Sequence, residues 1–109
     1  MSVFETMRGA MAAKDAETMI GLLHDDFVFV RHQSGGEMTR DEMAEMIRGM
    51  AASGDWTIGD HRCLYENDDI MVEHSVMSFP DGSREAVLVA NLLQDGKIVR
   101  METGASPLE

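Results

Sequence analysis

The chain has 109 residues, a single cysteine and a formal net charge of −11. Its length suits one domain, residues 1–109, and its charge would repel nucleic acid and anionic membranes, which are bound through Lys and Arg. No apolar run approaches the roughly 18 residues of a membrane span. A basic segment followed by a long apolar one, the mark of a secretory leader, is not seen at the N-terminus. Cys63 has no partner for an internal disulfide, so a reducing cytoplasm is the expected setting. Aromatics make up 6% of the chain while methionines number 11; the core is therefore filled largely by flexible, polarizable side chains.

Ser2 and Glu5 form an S-x-x-E capping box that opens a first helix near Val3. Phe4, Met7, Ala10 and Met11 give that helix one apolar face. Lys14-Asp15 interrupts the pattern, and Asp15 caps a second helix predicted over Ala16 to His24. The alternation of Phe27-Val28-Phe29-Val30 predicts a first strand from about Asp26 to Gln33. Ser34-Gly35-Gly36 is a turn. Thr39 and Glu42 make a second capping box, opening a third helix that runs to about Ser53, with Gly54 as terminator.

From Trp56 onward the period changes to two. Strands are predicted over Trp56 to Glu66, Ile70 to Phe79, Ser83 to Leu93 and Lys97 to Gly104. They are joined at Asn67-Asp68-Asp69, Pro80-Asp81-Gly82 and Asp95-Gly96, turns that make neighbours antiparallel. Gly59 marks a bulge that bends the sheet. Helices first and a curved meander afterwards give an α+β fold with the helices on one sheet face.

The segments AKDAETMIGLLHDDFVFV, TRDEMAEMI and LLQDGKIVRMETGA, in this order and spacing, resemble the NTF2-like superfamily and, within it, the SnoaL-like branch. The resemblance covers nearly the whole chain. It implies a cone: three N-terminal helices packed on a strongly curved, mostly antiparallel β-sheet, with a pocket at the open end and a homodimer formed through the outer sheet face. The superfamily spans ketosteroid isomerases, polyketide cyclases, dehydratases and non-catalytic binding proteins, so the fold does not select a function.

The isomerase signatures are replaced in this chain. Where the resemblance implies a general-base aspartate, near the end of strand one, stand Arg31 and His32. The tyrosine of the first helix is missing, since the only tyrosine is Tyr65 on a strand, and the second acid falls near Val89 or Asn91. Histidine is the natural substitute base, because its side chain titrates close to neutral pH. His24 ends the second helix, a structural place for it. His32, His61 and His74 are the three that can enter a pocket, and the resemblance favours His32.

Strand parity adds further candidates. If Phe27 and Phe29 face inward, so does Arg31, which would bind a carboxylate or enolate oxygen. On the third strand the set Val72, His74 and Val76 suits a histidine facing the interior. On the fourth, Asn91 is the one amide on an apolar stripe and needs a partner, from the core or from a ligand. The catalytic candidates are therefore His32, His74 and Arg31, with Phe29, Trp56 and Asn91 in contact with substrate. No H-x-x-x-H, H-x-H or paired-cysteine pattern signals a metal, and no G-x-S-x-G, Walker or G-x-G-x-x-G pattern signals serine hydrolysis or nucleotide binding.

The function expected from these features is binding of a small, partly apolar molecule. Cofactor-free isomerisation, aldol cyclisation or dehydration beside a carbonyl would apply if the chain is an enzyme. The alternative is a non-catalytic ligand-binding or dimerisation module. A homodimer is expected because the strands carry apolar residues of both parities, with Met71, Met77, Leu88 and Leu92 assigned to the outer face.

Overall fold

The computed structural model describes residues 2–31, 35–54 and 57–108. Helices α1 (Val3–Ala13), α2 (Ala16–Gly21) and α3 (Arg40–Ser53) lie against a sheet built from β1 (Leu23–Arg31), β2 (Glu37–Thr39), β3 (Thr57–Glu66), β4 (Ile70–Ser78), β5 (Arg84–Gln94) and β6 (Lys97–Leu108). The helix starts are set by their caps. Ser2 Oγ accepts the Glu5 N–H at 3.0 Å. Thr39 and Glu42 exchange side chain-to-backbone bonds in both directions, at 3.0 and 3.3 Å, so two donors that a helix start leaves open are satisfied together. Gly54, at φ 64°, ends α3.

The second helix is shorter than its sequence pattern predicts, stopping at Gly21 rather than His24. The Ile98 N–H donates to the Leu22 carbonyl at 2.8 Å, which draws the chain into the sheet where Leu23 pairs with Ile98. Sheet pairing takes the carbonyls that a further helical turn would need. The Arg40 guanidinium donates to the Ile20 and Leu23 carbonyls, both at 3.2 Å, and closes the helix end. His24 consequently sits on β1, where its Nδ1 accepts the Asp26 N–H at 3.0 Å. Its role is structural, although not at a helix terminus.

The strand order is β2-β1-β6-β5-β4-β3. Every neighbouring pair is antiparallel except β1 and β6, which run parallel. Strand β2 is an addition to the predicted set; three residues are too few to show a period. The Asp95-Gly96 turn has both residues at positive φ, 55° and 76°, the twist that matches its flanking strands. Among the described residues no helix occurs between β3 and β6.

The pairing registers stack the inner-face residues into rows across the sheet. One row is Met71, Asn91, Met101 and Phe29; the next toward the rim is Glu73, Val89, Thr103 and Arg31. The inner face of β4 is therefore Met71, Glu73, Ser75 and Met77, not the Val72, His74 and Val76 set. Met71, Glu73 and Ser75 are buried, and His74 lies on the opposite face. Both faces of β4 carry apolar residues, so apolarity alone chose wrongly. Glu73 can be buried because it meets polar partners inside. For the same reason Met71 and Met77 are not on the outer face, whereas Leu88 and Leu92 are exposed there.

Strand β3 departs from simple alternation. Gly59 pairs with Val76 and Arg62 with His74, so Asp60 and His61 together oppose Ser75. Asp60 takes φ 51°. This extra residue is the bulge anticipated at Gly59, and it reverses the parity of His61 to Cys63, before a second register shift between Cys63 and Tyr65. Ile58 faces inward; without the bulge His61 would face outward, and with it His61 joins the inner face. Because a β-branched residue tolerates this backbone poorly, Asp60→Val is expected to cost about 1–2 kcal/mol. Asp60→Gly is expected to leave stability unchanged or improved. Urea unfolding of the two variants checks this, and equal midpoints would contradict the bulge geometry.

Candidate functional site

The helices and the inner sheet face enclose a cavity of about 530 Å³, a size that suits a small molecule. Eight of the eleven methionines line it, six of them from helices: Met7, Met11, Met19, Met43, Met46 and Met50. They lie three or four residues apart on α1 and α3, so each helix points a continuous thioether stripe inward. Such walls adapt in shape and remain apolar. Against them stand the polar side chains of Arg31, His61, Glu73, Ser75, Glu85 and Thr103.

Three of the buried polar residues form a chain. His61 Nε2 lies 2.6 Å from Glu73 Oε1. Asn91 Nδ2 donates to Glu73 Oε2 at 2.8 Å and to the Met71 carbonyl at 3.1 Å. Both partners of that amide are acceptors, which sets its orientation with the nitrogen toward Glu73. Asn91 is fully buried, and the side chains of His61 and Glu73 are 8% and 9% exposed. An acidic group this deep requires such partners, since an unpaired buried charge costs several kcal/mol.

The other imidazole nitrogen decides what the chain can do. With the carboxylate accepting, the ring proton sits on Nε2, and Nδ1 keeps its lone pair. His61 Nδ1 is buried and accepts from no protein group among the described residues. The Phe4 ring, 4.8 Å away and tilted by 59°, flanks the imidazole from α1. Ser75, opposite the bulge, is the nearest hydroxyl by register and also lines the cavity. The arrangement is an oriented proton acceptor and a hydroxyl carried by residues that line one largely apolar chamber.

Arg31 occupies another part of the wall. Its Nη2 lies 3.5 Å from Met46 Sδ, and its guanidinium carbon is 5.6 Å from the centre of the Phe29 ring. Among the described residues no carboxylate pairs with it.

The profile of the SnoaL-like domain matches residues 4–101. The chain belongs to the SnoaL-like family. Its fold is shared with a candidate ketosteroid isomerase from Kribbella flavida, at TM-score 0.82 and 16% identity, covering 98% of this chain and 77% of that one. An NTF2-like protein of unknown function from Burkholderia xenovorans aligns with TM-score 0.78 and 19% identity over 98% and 83% of the two chains. IdmH, a candidate polyketide cyclase from Streptomyces antibioticus, aligns with TM-score 0.74 and 18% identity over 95% and 89%. No curated protein matches the sequence significantly.

In this SnoaL-like chain the residues singled out from sequence have divergent placements. Phe29 and Arg31 line the cavity. His32 and Trp56 lie outside the described residues. His74 is on the convex face, paired across strands with Arg62 and Leu88, and takes no part in the cavity wall. Asn91 faces inward as its stripe implies, but a core carboxylate and a carbonyl use its amide protons. Sequence reasoning did not single out Glu73 or Ser75 and ranked His61 below His32. The Gly59-Asp60 pair held the missing signal: a bulge there reverses the parity of His61.

Burial, and secondarily the Glu66 charge, push the Cys63 thiol above its ordinary value, so it stays protonated at neutral pH and is a poor nucleophile. Among the described residues no group of three His, Cys, Asp or Glu side chains is placed to hold a metal ion, and no helix is long and apolar enough to cross a membrane.

Proposed function

We propose that this SnoaL-like protein binds a small, partly apolar carbonyl compound and moves a proton on it without a cofactor. The reaction class is isomerisation, aldol cyclisation or dehydration. The observation that carries this reading is the buried, unpartnered Nδ1 of His61 beside a cavity, with Nε2 held by Glu73 at 2.6 Å. His61 takes the proton through Nδ1, and Glu73 stabilises the imidazolium that forms. Asn91 holds Glu73 in position and does not touch substrate. Ser75 donates to the substrate oxygen on which charge develops. The relatives named as isomerase and cyclase candidates are consistent with this class. His61 takes the place assigned from sequence to His32 or His74; Phe29 remains an apolar wall. A reducing cytoplasm suits the protonated, unpaired Cys63.

The binding-module alternative shares the cavity and differs only in lacking turnover. The proposal also includes a homodimer. It is supported by the exposed Leu64, Tyr65, Leu88 and Leu92, the last two on the outer face of β5. Sedimentation at roughly tens of micromolar, a concentration that populates a stable interface, is expected to give dimer; a monomer alone would remove the claim.

His61→Gln should cut solvent-deuterium exchange into a bound carbonyl compound by at least about 100-fold, the lower range of a general base's contribution, with the unfolding midpoint little changed. Exchange that survives His61→Gln would refute the assignment.

A further inference from the structure

Arg31 and the His61–Glu73 pair line the same cavity from non-adjacent strands of the sheet. Glu73, Val89, Thr103 and Arg31 are successive members of one cross-strand row on β4, β5, β6 and β1. Three strand spacings separate the first from the last, about 14 Å measured along the sheet. The helices hold the two ends on different sides. Phe4 of α1 packs on the His61 ring, whereas Met46 of α3 and Phe29 hold the Arg31 guanidinium. A group bound by Arg31 therefore meets the cavity from β1 and α3, whereas the atom that loses a proton to His61 meets it from β3 and α1.

The chemistry of the wall between them is apolar. Val89 and Met101 lie beneath it, and the methionines of α1 and α3 cover it. Thr103 contributes one hydroxyl. Arg31 is the only Lys or Arg among the described residues lining the cavity, and no described carboxylate forms an ion pair with it. The other acidic lining residue, Glu85, pairs with Met77 two rows nearer the rim and on β5, away from the Arg31 end. A planar guanidinium in this setting selects a carboxylate, which it binds bidentately.

We infer that the cavity takes an elongated amphipathic acid, an apolar body bearing a carboxylate at the end opposite the reacting carbon, and that Arg31 is the residue that selects it. This rests on the proposed function for the identity of the reacting end, and on the cavity alone for the anionic end. Arg31 is thus a specificity residue for the substrate's remote charge. Compounds whose only anionic group is adjacent to the reacting carbon do not satisfy both ends at once.

Calorimetric titration with decanoate and decanol tests the anionic end without requiring turnover. Arg31 is solvent-exposed at the cavity wall, and the wild type is expected to bind decanoate a few-fold more tightly than decanol, the range for an exposed ion pair. Arg31→Met should bring decanoate to the affinity of decanol and leave decanol unaffected, while Arg31→Lys should retain part of the preference. Equal binding of the two ligands by the wild type, binding of neither, or a preference that survives Arg31→Met would overturn the inference. His61→Gln should keep the preference; its loss there would place the anion at His61 and also overturn the inference. A preference that depends on Arg31 in a protein that exchanges no protons would sustain this inference and defeat the catalytic reading.

Discussion

A buried carboxylate organises the interior of this protein. Glu73 lies on the concave face of β4, where a solvent-free acid is tolerated only with partners on both oxygens. One partner, Asn91, comes from the adjacent strand in the register that also pairs Met71 with Asn91. The other, His61, reaches it because a single extra residue at Asp60 turns the histidine inward. Removing the bulge would leave Glu73 half-satisfied and the imidazole on the wrong face. Strand register, the parity of β3 and the polarity of the cavity are thus different consequences of satisfying one acid.

The remainder of the cavity is built differently. Its polar chain is held by short hydrogen bonds on sheet strands, while its ceiling is methionine from three helices. Strands fix positions within narrow limits, and unbranched thioethers repack at little cost. Such a division places the proton acceptor rigidly and allows the apolar body of a ligand to vary. It also explains how so few aromatic residues suffice for a closed core: Phe4, Phe27 and Phe29 are buried, and methionine occupies much of the rest.

Much of the architecture is readable from local signals. The Ser2 cap, the Thr39–Glu42 capping box, the terminating Gly54, the period change near Trp56 and the Asp95-Gly96 hairpin are encoded within a few residues of where they act. The second helix is misjudged from sequence because its end is set by pairing with Ile98, far along the chain. On β1 the two phenylalanines mark the inner face, and on β5 the stripe through Asn91 does, although both strands also carry apolar residues on the other face. Parity on β4 cannot be read, because both faces carry valine or methionine and the deciding factor is a polar partner on each neighbouring strand, His61 on β3 and Asn91 on β5. His61 illustrates the same limit. The bulge is visible at Gly59, but its effect on the next side chains requires knowing which residue opposes it. The resemblance leads to the SnoaL-like fold, while directing attention to the end of strand one rather than to the pair that the fold brings together.

The central claim is that Glu73 holds the His61 proton on Nε2 and leaves Nδ1 as a bare acceptor. Two-bond proton–nitrogen correlation NMR of the His61 ring, at slightly alkaline pH, observes this directly. The account predicts a neutral ring protonated at Nε2, changing tautomer balance when Glu73 is replaced by Gln. A ring protonated at Nδ1, or one whose tautomer ignores Glu73→Gln, would contradict it.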